Sequence, residues 1–175
     1  MFVLGIDPGL SRCGYGVVEQ IPAAGSQRAR SEAVGLGVIC TAPNESTAQR
    51  LATQMRELRC LIDEFRPAVV AVERVFFQVN ARTAMGVAQV AGLAMALASD
   101  TGAEVVEYAP NEVKQAVAGW GGADKAQMQR MVCELLALDE LPIPADAADA
   151  AAVALCHLSR TGWHRAAARS RSIAR

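Results

Sequence analysis

The chain opens with Val3-Leu4-Gly5-Ile6-Asp7-Pro8-Gly9. The mostly apolar residues before Asp7 predict a buried strand, and the Pro-Gly pair predicts that the chain turns directly after the carboxylate. Asp7 is therefore expected at a sheet edge, on a rigid element. A carboxylate in this place is either an ordinary turn former or a member of a reaction site. Other carboxylates that interrupt apolar elements would favour the second interpretation.

A second carboxylate ends a second apolar run. The segment from Ala68 to Val72 predicts a central strand, and Glu73 follows it. A whole helix separates this strand from the preceding ones, so we expect it to lie parallel to the first strand. Asp7 and Glu73 would then come out at the same edge of the sheet. The alternative is a solvated strand end, with Glu73 paired to Arg74.

Two more carboxylates open a late helix that is predicted to run from the Pro144 break to about Arg160. Asp146 and Asp149 are three residues apart, so their side chains share one face of this helix. Aspartate is also favoured as a helix cap and in the first turn, where it meets the positive end of the helix dipole. Two on one face, among alanines that offer no cationic partner, indicate ligands.

The remaining segments are predicted to alternate between strands and helices. A capping box at Ser46 and Gln49 begins a helix with inward-facing Leu51, Met55, Leu58, Ile62 and Phe65, which Pro67 stops. We predict further strands at 14–19, 33–40 and 103–108, helices at 80–99 and 111–118, and a helix with the apolar stripe Met128, Met131, Val132, Leu135 and Leu136. The first three strands should form an antiparallel meander. Gly14 and Gly16 leave room near Asp7, either for a ligand or for a bulge.

Size and charge limit the classes of protein. At 175 residues, the chain is expected to form one domain over 1–165, followed by a mobile basic tail at 166–175. The formal net charge is −1, but five arginines and no acid follow Ser159, so residues 1–159 hold 12 bases against 18 acids and carry −6. Binding of nucleic acid by this body must therefore use local clusters of bases. The tail either contacts phosphate non-specifically or only solubilises the end of the chain.

Cysteine content and hydropathy indicate the compartment. The five cysteines are odd in number and scattered, which favours buried free thiols over a zinc site or a disulfide framework; they are Cys13, Cys40, Cys60, Cys133 and Cys156. No apolar run is long enough to cross a bilayer, and no secretory signal is visible at the start. We expect a cytoplasmic protein.

The predicted order of elements resembles the α/β ribonuclease H-like fold, a mixed five-stranded sheet flanked by helices. This fold gathers acids from the ends of its first and fourth strands and from a late helix, where Asp7, Glu73, Asp146 and Asp149 stand. Two like charges about 4 Å apart repel by roughly 4 kcal/mol at an effective dielectric near 20, so four converging acids require cations or protons. His157 stands two helical turns beyond Asp149, too far to share an ion, and is expected to be packed or at the surface.

The ligand type predicts the metal. Carboxylate oxygens without Cys or His at chelating spacing favour Mg²⁺, with Mn²⁺ as a substitute. Two such ions about 4 Å apart can activate water against a phosphodiester and stabilise the leaving oxygen, which is nuclease chemistry.

A set of five motifs is similar to the RuvC family of bacterial Holliday-junction resolvases and spans Val3 to about Ser159. The motifs are Gly5-Ile6-Asp7-Pro8-Gly9, Gly14-Tyr15-Gly16-Val17, Glu73-Arg74-Val75-Phe76-Phe77 with Asn80, Val113-Lys114-Gln115 and Asp146-Ala147-Ala148-Asp149-Ala150. The resemblance implies a homodimer that binds a four-way DNA junction and nicks two strands symmetrically. It also makes the RuvA and RuvB branch-migration proteins candidate partners.

The resemblance also implies roles for individual residues. Asp7, Glu73, Asp146 and Asp149 match the metal-binding catalytic acids of the family. Its DNA-binding positions correspond to Phe76, Phe77, Asn80, Lys114 and Lys125. Phe76 matches an aromatic that stacks on a junction base, a contact worth about 1–3 kcal/mol, and core packing is the alternative for both phenylalanines. Lys114 and Lys125 are the only lysines in the chain, and they are either aimed at phosphate or solvated.

Three other functions compete with this one. An actin-like ATPase also begins with an apolar strand, an Asp and a Gly, but it needs a second lobe for which this chain is too short. Another ribonuclease H-like nuclease would act on RNA or on hybrids. A non-catalytic junction-binding module would bind without metal and leave no nicks.

Overall fold

A mixed five-stranded sheet forms the centre of the computed structural model, which describes residues 1–24, 29–74, 81–142 and 144–173 and, within these, the side chains outside 81–83 and 162–173. Its strands are β1 (Phe2–Asp7), β2 (Arg12–Ile21), β3 (Arg30–Cys40), β4 (Val69–Glu73) and β5 (Glu104–Tyr108). The strand order is β3-β2-β1-β4-β5. The first three strands pair antiparallel, whereas β4 lies parallel to β1 and β5 parallel to β4. The predicted meander and the parallel central pair are both confirmed.

Helices cover both faces of this sheet. They are α1 (Thr47–Phe65), α2 (Ala81–Asp100), α3 (Pro110–Ala118), α4 (Lys125–Leu135) and α5 (Ala145–Ile173). One core lies between the sheet and α1 and α2, and the other lies between the sheet and α3, α4 and α5. This arrangement confirms the predicted fold class. Among the helices of the described ranges, no segment combines the length and apolarity of a membrane span.

The alternation of side chains along β1 and β4 decides where their terminal carboxylates point. In β1, Leu4 and Ile6 belong to the core under α1 and α2, whereas Val3 belongs to the opposite core. Successive residues of a strand face opposite sides, so Asp7 faces α5 together with Val3. The same count in β4, where Val69 and Ala71 face α5, directs Glu73 to that side.

Helix α5 packs against the sheet through glycine and alanine. A Cβ atom built on Gly14 would overlap the carbonyl oxygen of Asp146, and one built on Gly16 would lie 2.7 Å from Cα of Ala151. The space that these glycines open is therefore occupied by α5 and not by a ligand. The register shift in β2 falls later, between Val17 and Val18, so the bulge interpretation of Gly14 and Gly16 is also wrong.

Helix α5 is longer than expected. It continues past Arg160 to Ile173, because the alanines and arginines of this segment are strong helix formers and no proline interrupts them. The mobility of the segment stays a prediction, and residues 174 and 175 lie outside the described residues.

The predicted helix faces are correct except at two positions. Helix α1 begins with the expected capping box at Ser46, and Leu58 and Ile62 are buried, but Met55 is 39% exposed. In α4, Met128 and Val132 are buried, as is Leu136 beyond its end, whereas Leu135 is 45% exposed. A stripe at helical spacing covers a wider arc than a neighbouring element can cover, so its marginal members remain in solvent.

All five cysteines are free, as predicted, but their burial differs from the prediction. Cys13 and Cys156 are core residues, whereas Cys40 and Cys60 are exposed. Cys40 is the last residue of β3 and Cys60 lies on the outer face of α1, so neither has a packed layer above it.

Candidate metal centre and active site

Three carboxylates from two elements converge at one end of the sheet. Asp7, Asp146 and Asp149 each place one oxygen so that the three atoms lie within 4.8 Å of one another. Asp7 comes from the end of β1, and the other two come from the first turns of α5. The predicted convergence of acids that are distant in sequence is therefore present in the fold.

Glu73 completes the group from the neighbouring strand. In the parallel pairing, Ile6 lies opposite Val72, so the next residues, Asp7 and Glu73, are neighbours. Their side chains share a hydrogen bond. The charges that act most strongly on Glu73 are those of Asp149, Lys114 and Lys125, and not that of Arg74. The alternative of a solvated strand end, with Glu73 paired to Arg74, is therefore wrong.

The acid cluster is expected to retain a proton when no cation is bound. Burial raises the pKa of Asp7 to about 8, with further contributions from the negative charges of Glu73, Asp149 and Asp146. Burial also raises the pKa of Glu73, and repulsion by Asp149 adds to it. A proton shared between Asp7 and Glu73 compensates part of the negative charge of the cluster at neutral pH.

Two cations hold the aspartates of α5. Arg12 donates from Nε and Nη2 to one oxygen of Asp146, at 2.8 and 2.7 Å. Lys125 Nζ lies 2.9 Å from Asp149 Oδ2. The alanines beside these aspartates offer no cationic partner, as the sequence indicates, but β2 and α4 each provide one. All four side chains are partly exposed, so each pair adds little stability and serves mainly to hold the carboxylates in place.

Sequence reasoning missed Arg12. The signal that could have found it is the alternation along β2. Gly14 lies opposite Asp7 in the register, and Arg12 stands two residues before Gly14 on the same face. A cation at that position faces the side of the sheet on which the acids meet.

A cavity of about 260 Å³ adjoins the acids. Asp7, Glu73 and Asp149 form its acidic side, and Lys114 and Lys125 form part of its wall. Lys114 comes from α3, and Lys125 is the first residue of α4, which the side chain of Asp124 caps. Lys114 and Lys125, the two predicted lysines, therefore both lie near the carboxylates. The other lining residues are Pro110, Val113, Met128 and Ala152.

The remaining predicted residues lie elsewhere. Phe76, Phe77 and Asn80 lie outside the described residues. His157 is buried on α5, where its Nδ1 and the hydroxyl of Tyr108 form a hydrogen bond of 3.0 Å. The sequence leaves open whether His157 is packed or at the surface, and the structure shows that it is packed.

The donor set fits a divalent cation. Asp7, Asp146 and Asp149 offer hard oxygen ligands close enough to share one ion, and Glu73 lies beside them. Burial is the largest cause of the raised pKa of Asp7, and the negative charges of Glu73, Asp149 and Asp146 raise it further, beside Arg12 and Lys125. A cation at this position would supply the compensation that the proton provides in its absence.

A ribonuclease H-like sheet that brings carboxylates from two strand ends and a late helix to one spot defines a metal-dependent nuclease. The family model for the crossover junction endodeoxyribonuclease RuvC matches residues 3–157. The chain belongs to the RuvC family. The nucleases of this family depend on metal ions. This match to a nuclease family confirms the resemblance seen in the sequence and decides against the actin-like ATPase and the non-catalytic module.

Individual relatives agree with the family match. The chain is 51% identical over 162 residues to the RuvC of Salinispora arenicola, covering 93% of this chain and 90% of the relative. The Thermus thermophilus RuvC structure superimposes with a TM-score of 0.82 at 36% identity, covering 93% of this chain and 97% of that chain. T. thermophilus RuvC in complex with a Holliday junction substrate gives the same TM-score at 35% identity, covering 92% and 94%.

The shared proton predicts how stability depends on pH. The pKa of Asp7 is about 8 in the folded protein and about 4 in an unfolded chain. The folded state therefore holds an additional proton between these values, and without metal the free energy of unfolding should fall as the pH rises from about 4 to about 8. One such group contributes a slope of up to about 1.4 kcal/mol per pH unit.

Urea denaturation in a chelator at several pH values measures this slope. The variant Asp7→Asn removes the ionisation and should show a flatter dependence than the parent protein. Equal slopes for the two proteins would contradict a proton held at Asp7.

Proposed function

We propose that this chain resolves four-way DNA junctions by metal-dependent phosphodiester hydrolysis at Asp7, Glu73, Asp146 and Asp149. The observation that carries the proposal is the convergence of three carboxylate oxygens from β1 and α5 within 4.8 Å. Glu73 and the two lysines adjoin this cluster. The junction as substrate is supported by the Holliday-junction complex of the T. thermophilus relative.

In this proposal, Asp7, Asp146 and Asp149 hold Mg²⁺, for which Mn²⁺ can substitute, and Glu73 completes a site for two ions. The bound ions supply activation of water and stabilisation of charge on the phosphate. Arg12 and Lys125 keep the aspartates of α5 in position through their ion pairs. Lys114, on the cavity wall, provides a positive charge for the phosphate of the strand that is cut.

Further parts of the proposal rest on the family resemblance. Phe76 stacks on a base at the junction, with Phe77 and Asn80 beside it in the same segment. The protein acts as a homodimer, which places two sites on the junction and explains paired symmetric nicks. RuvA and RuvB remain candidate partners.

A cleavage panel tests the proposed function. Four-way junction, linear duplex and RNA–DNA hybrid of matched sequence are incubated with the protein, with and without Mg²⁺, and the nicks are mapped on denaturing gels. We expect two symmetric nicks in the junction and a rate at least about a hundredfold lower on duplex, because only the junction presents the geometry that a dimer of sites can engage. Equal cutting of hybrid and junction would overturn the junction assignment.

A further inference from the structure

A second cavity borders the turn that follows β1. It has a volume of about 570 Å³, and its lining includes Leu10, Ser11, Arg12, Arg50 and Met85. Arg12 belongs to both places, because its guanidinium pairs with Asp146 in the acid cluster. This second cavity is therefore connected to the catalytic acids through one side chain.

Arg50 is fixed on the wall of this cavity by neutral groups. Its Nε donates to Thr41 Oγ1 at 2.9 Å, and its Nη2 donates to Ser11 Oγ at 2.5 Å. Thr41 in turn donates its hydroxyl proton to the carbonyl oxygen of Leu10, at 2.6 Å. The guanidinium is thus held against the turn that carries the chain from Asp7 into β2.

The charge of Arg50 has no compensating carboxylate in the part of the chain that the structure describes. Arg12, Arg30, Arg59 and Arg160 each lie within 4.0 Å of a carboxylate oxygen, but Arg50 forms no such pair among the described residues. Its two hydroxyl partners occupy Nε and one N–H of Nη2, whereas a guanidinium has five N–H donors. Donors remain for an anion that enters the cavity.

The anion that fits best is a DNA phosphate. Guanidinium groups bind phosphate oxygens with two parallel hydrogen bonds, and partial burial strengthens such bonds. Arg12 borders both the acids and the second cavity, so a strand whose scissile phosphate lies at the acids enters that cavity when it continues past Arg12. We propose that Arg50 forms a subsite for a phosphate of the cut strand next to the scissile one. The inference rests on the proposed function, since it needs DNA at the acid cluster.

The first test is the salt dependence of junction binding. Fluorescence anisotropy in a chelator compares the parent protein with Arg50→Gln over a range of salt concentrations. The logarithm of the association constant falls linearly with the logarithm of the salt concentration. Loss of one phosphate contact should make this slope less steep by about 0.9. The control is Arg56→Gln, which makes the same charge change on an exposed residue of α1 whose guanidinium contacts Thr53. Identical slopes for the two variants would overturn the subsite.

The second test places the contact on the DNA. A set of junctions is prepared, each with one neutral methylphosphonate at a different position flanking the scissile bond. Binding of each junction to the parent protein and to Arg50→Gln is measured. At one flanking position, the methylphosphonate should weaken binding by the parent protein about tenfold. The same methylphosphonate should not weaken binding by Arg50→Gln further, because this variant already lacks the contact between Arg50 and that phosphate. Equal losses for both proteins at every position would overturn the proposal.

The two proposals fail in different ways. A parent protein that neither binds nor cuts the junction removes the proposed function itself. If the parent protein cuts normally, the proposed function stands. If the affinity losses from Arg50→Gln and from each methylphosphonate are also additive, Arg50 only braces the turn that follows β1. Where Arg50→Gln does not fold, Arg50→Lys keeps the charge but loses the paired donors, and it should still show the smaller loss at the same methylphosphonate position.

Discussion

Asp7→Asn should reduce junction cleavage by about a thousandfold or more while the protein still folds and binds the junction. The substitution keeps the shape of the side chain but removes the charge that a divalent ion needs at the centre of the cluster, where Asp7 lies within 4.8 Å of oxygens of Asp146 and Asp149. A loss of this size corresponds to about 4 kcal/mol of barrier.

The fold should tolerate this change because, with no cation bound, the raised pKa of Asp7 favours a proton on its carboxylate at neutral pH. The amide that the substitution introduces can donate to Glu73 in place of that proton, and one like charge leaves a partly buried acidic cluster. We therefore expect Asp7→Asn to be more stable than the parent protein at about pH 8 in a chelator. This gain would show that the acids are placed for metal binding at a cost in stability.

Single-turnover cleavage and anisotropy measure the two effects separately. The control is Asp63→Asn, which makes the same charge change on an exposed residue of α1. It should cut at the parental rate. Retention of near-full cleavage by Asp7→Asn, with Asp63→Asn unchanged, would remove Asp7 from the site.

The sequence predicts the acid cluster well for a physical reason. A carboxylate at the end of an apolar strand is held by the strand itself, so its position follows from local pattern and strand pairing, as with Asp7 and Glu73. Asp146 and Asp149 follow from helical spacing in the same way. Each acid needs only its own element to be recognised, and the parallel pairing of β1 and β4 then brings the first two together.

The ion pairs that hold the aspartates of α5 are not predicted, because they depend on packing between elements. Arg12 reaches Asp146 across 134 positions of sequence, and Lys125 reaches Asp149 from another helix. Alternation along β2 indicates only the face on which Arg12 lies, and no sequence pattern indicates which carboxylate either cation meets. The same reason explains the error at Gly14, whose missing side chain indicates close approach but not which group approaches.

The contact of Gly14 with Asp146 couples the packing of α5 on β2 directly to the acid cluster. Gly14 lies opposite Asp7 in the register, and its missing Cβ makes room for the carbonyl oxygen of Asp146. In Gly14→Ala, the new carbon would overlap that backbone oxygen, so the start of α5 must move away from the sheet. We expect a destabilisation of about 1–3 kcal/mol.

Cleavage should fall further than stability alone would explain. Asp146 and Asp149 move with α5, and a displacement of about 1 Å at a reacting centre can cost about a hundredfold in rate. The matched control is Gly35→Ala in β3, where the new Cβ would meet the Phe65 ring at an ordinary 3.4 Å. Denaturation and single-turnover cleavage of both variants, under conditions where each is folded, provide the comparison. Parental cleavage by folded Gly14→Ala would show that the seating of α5 on β2 does not set the positions of its carboxylates.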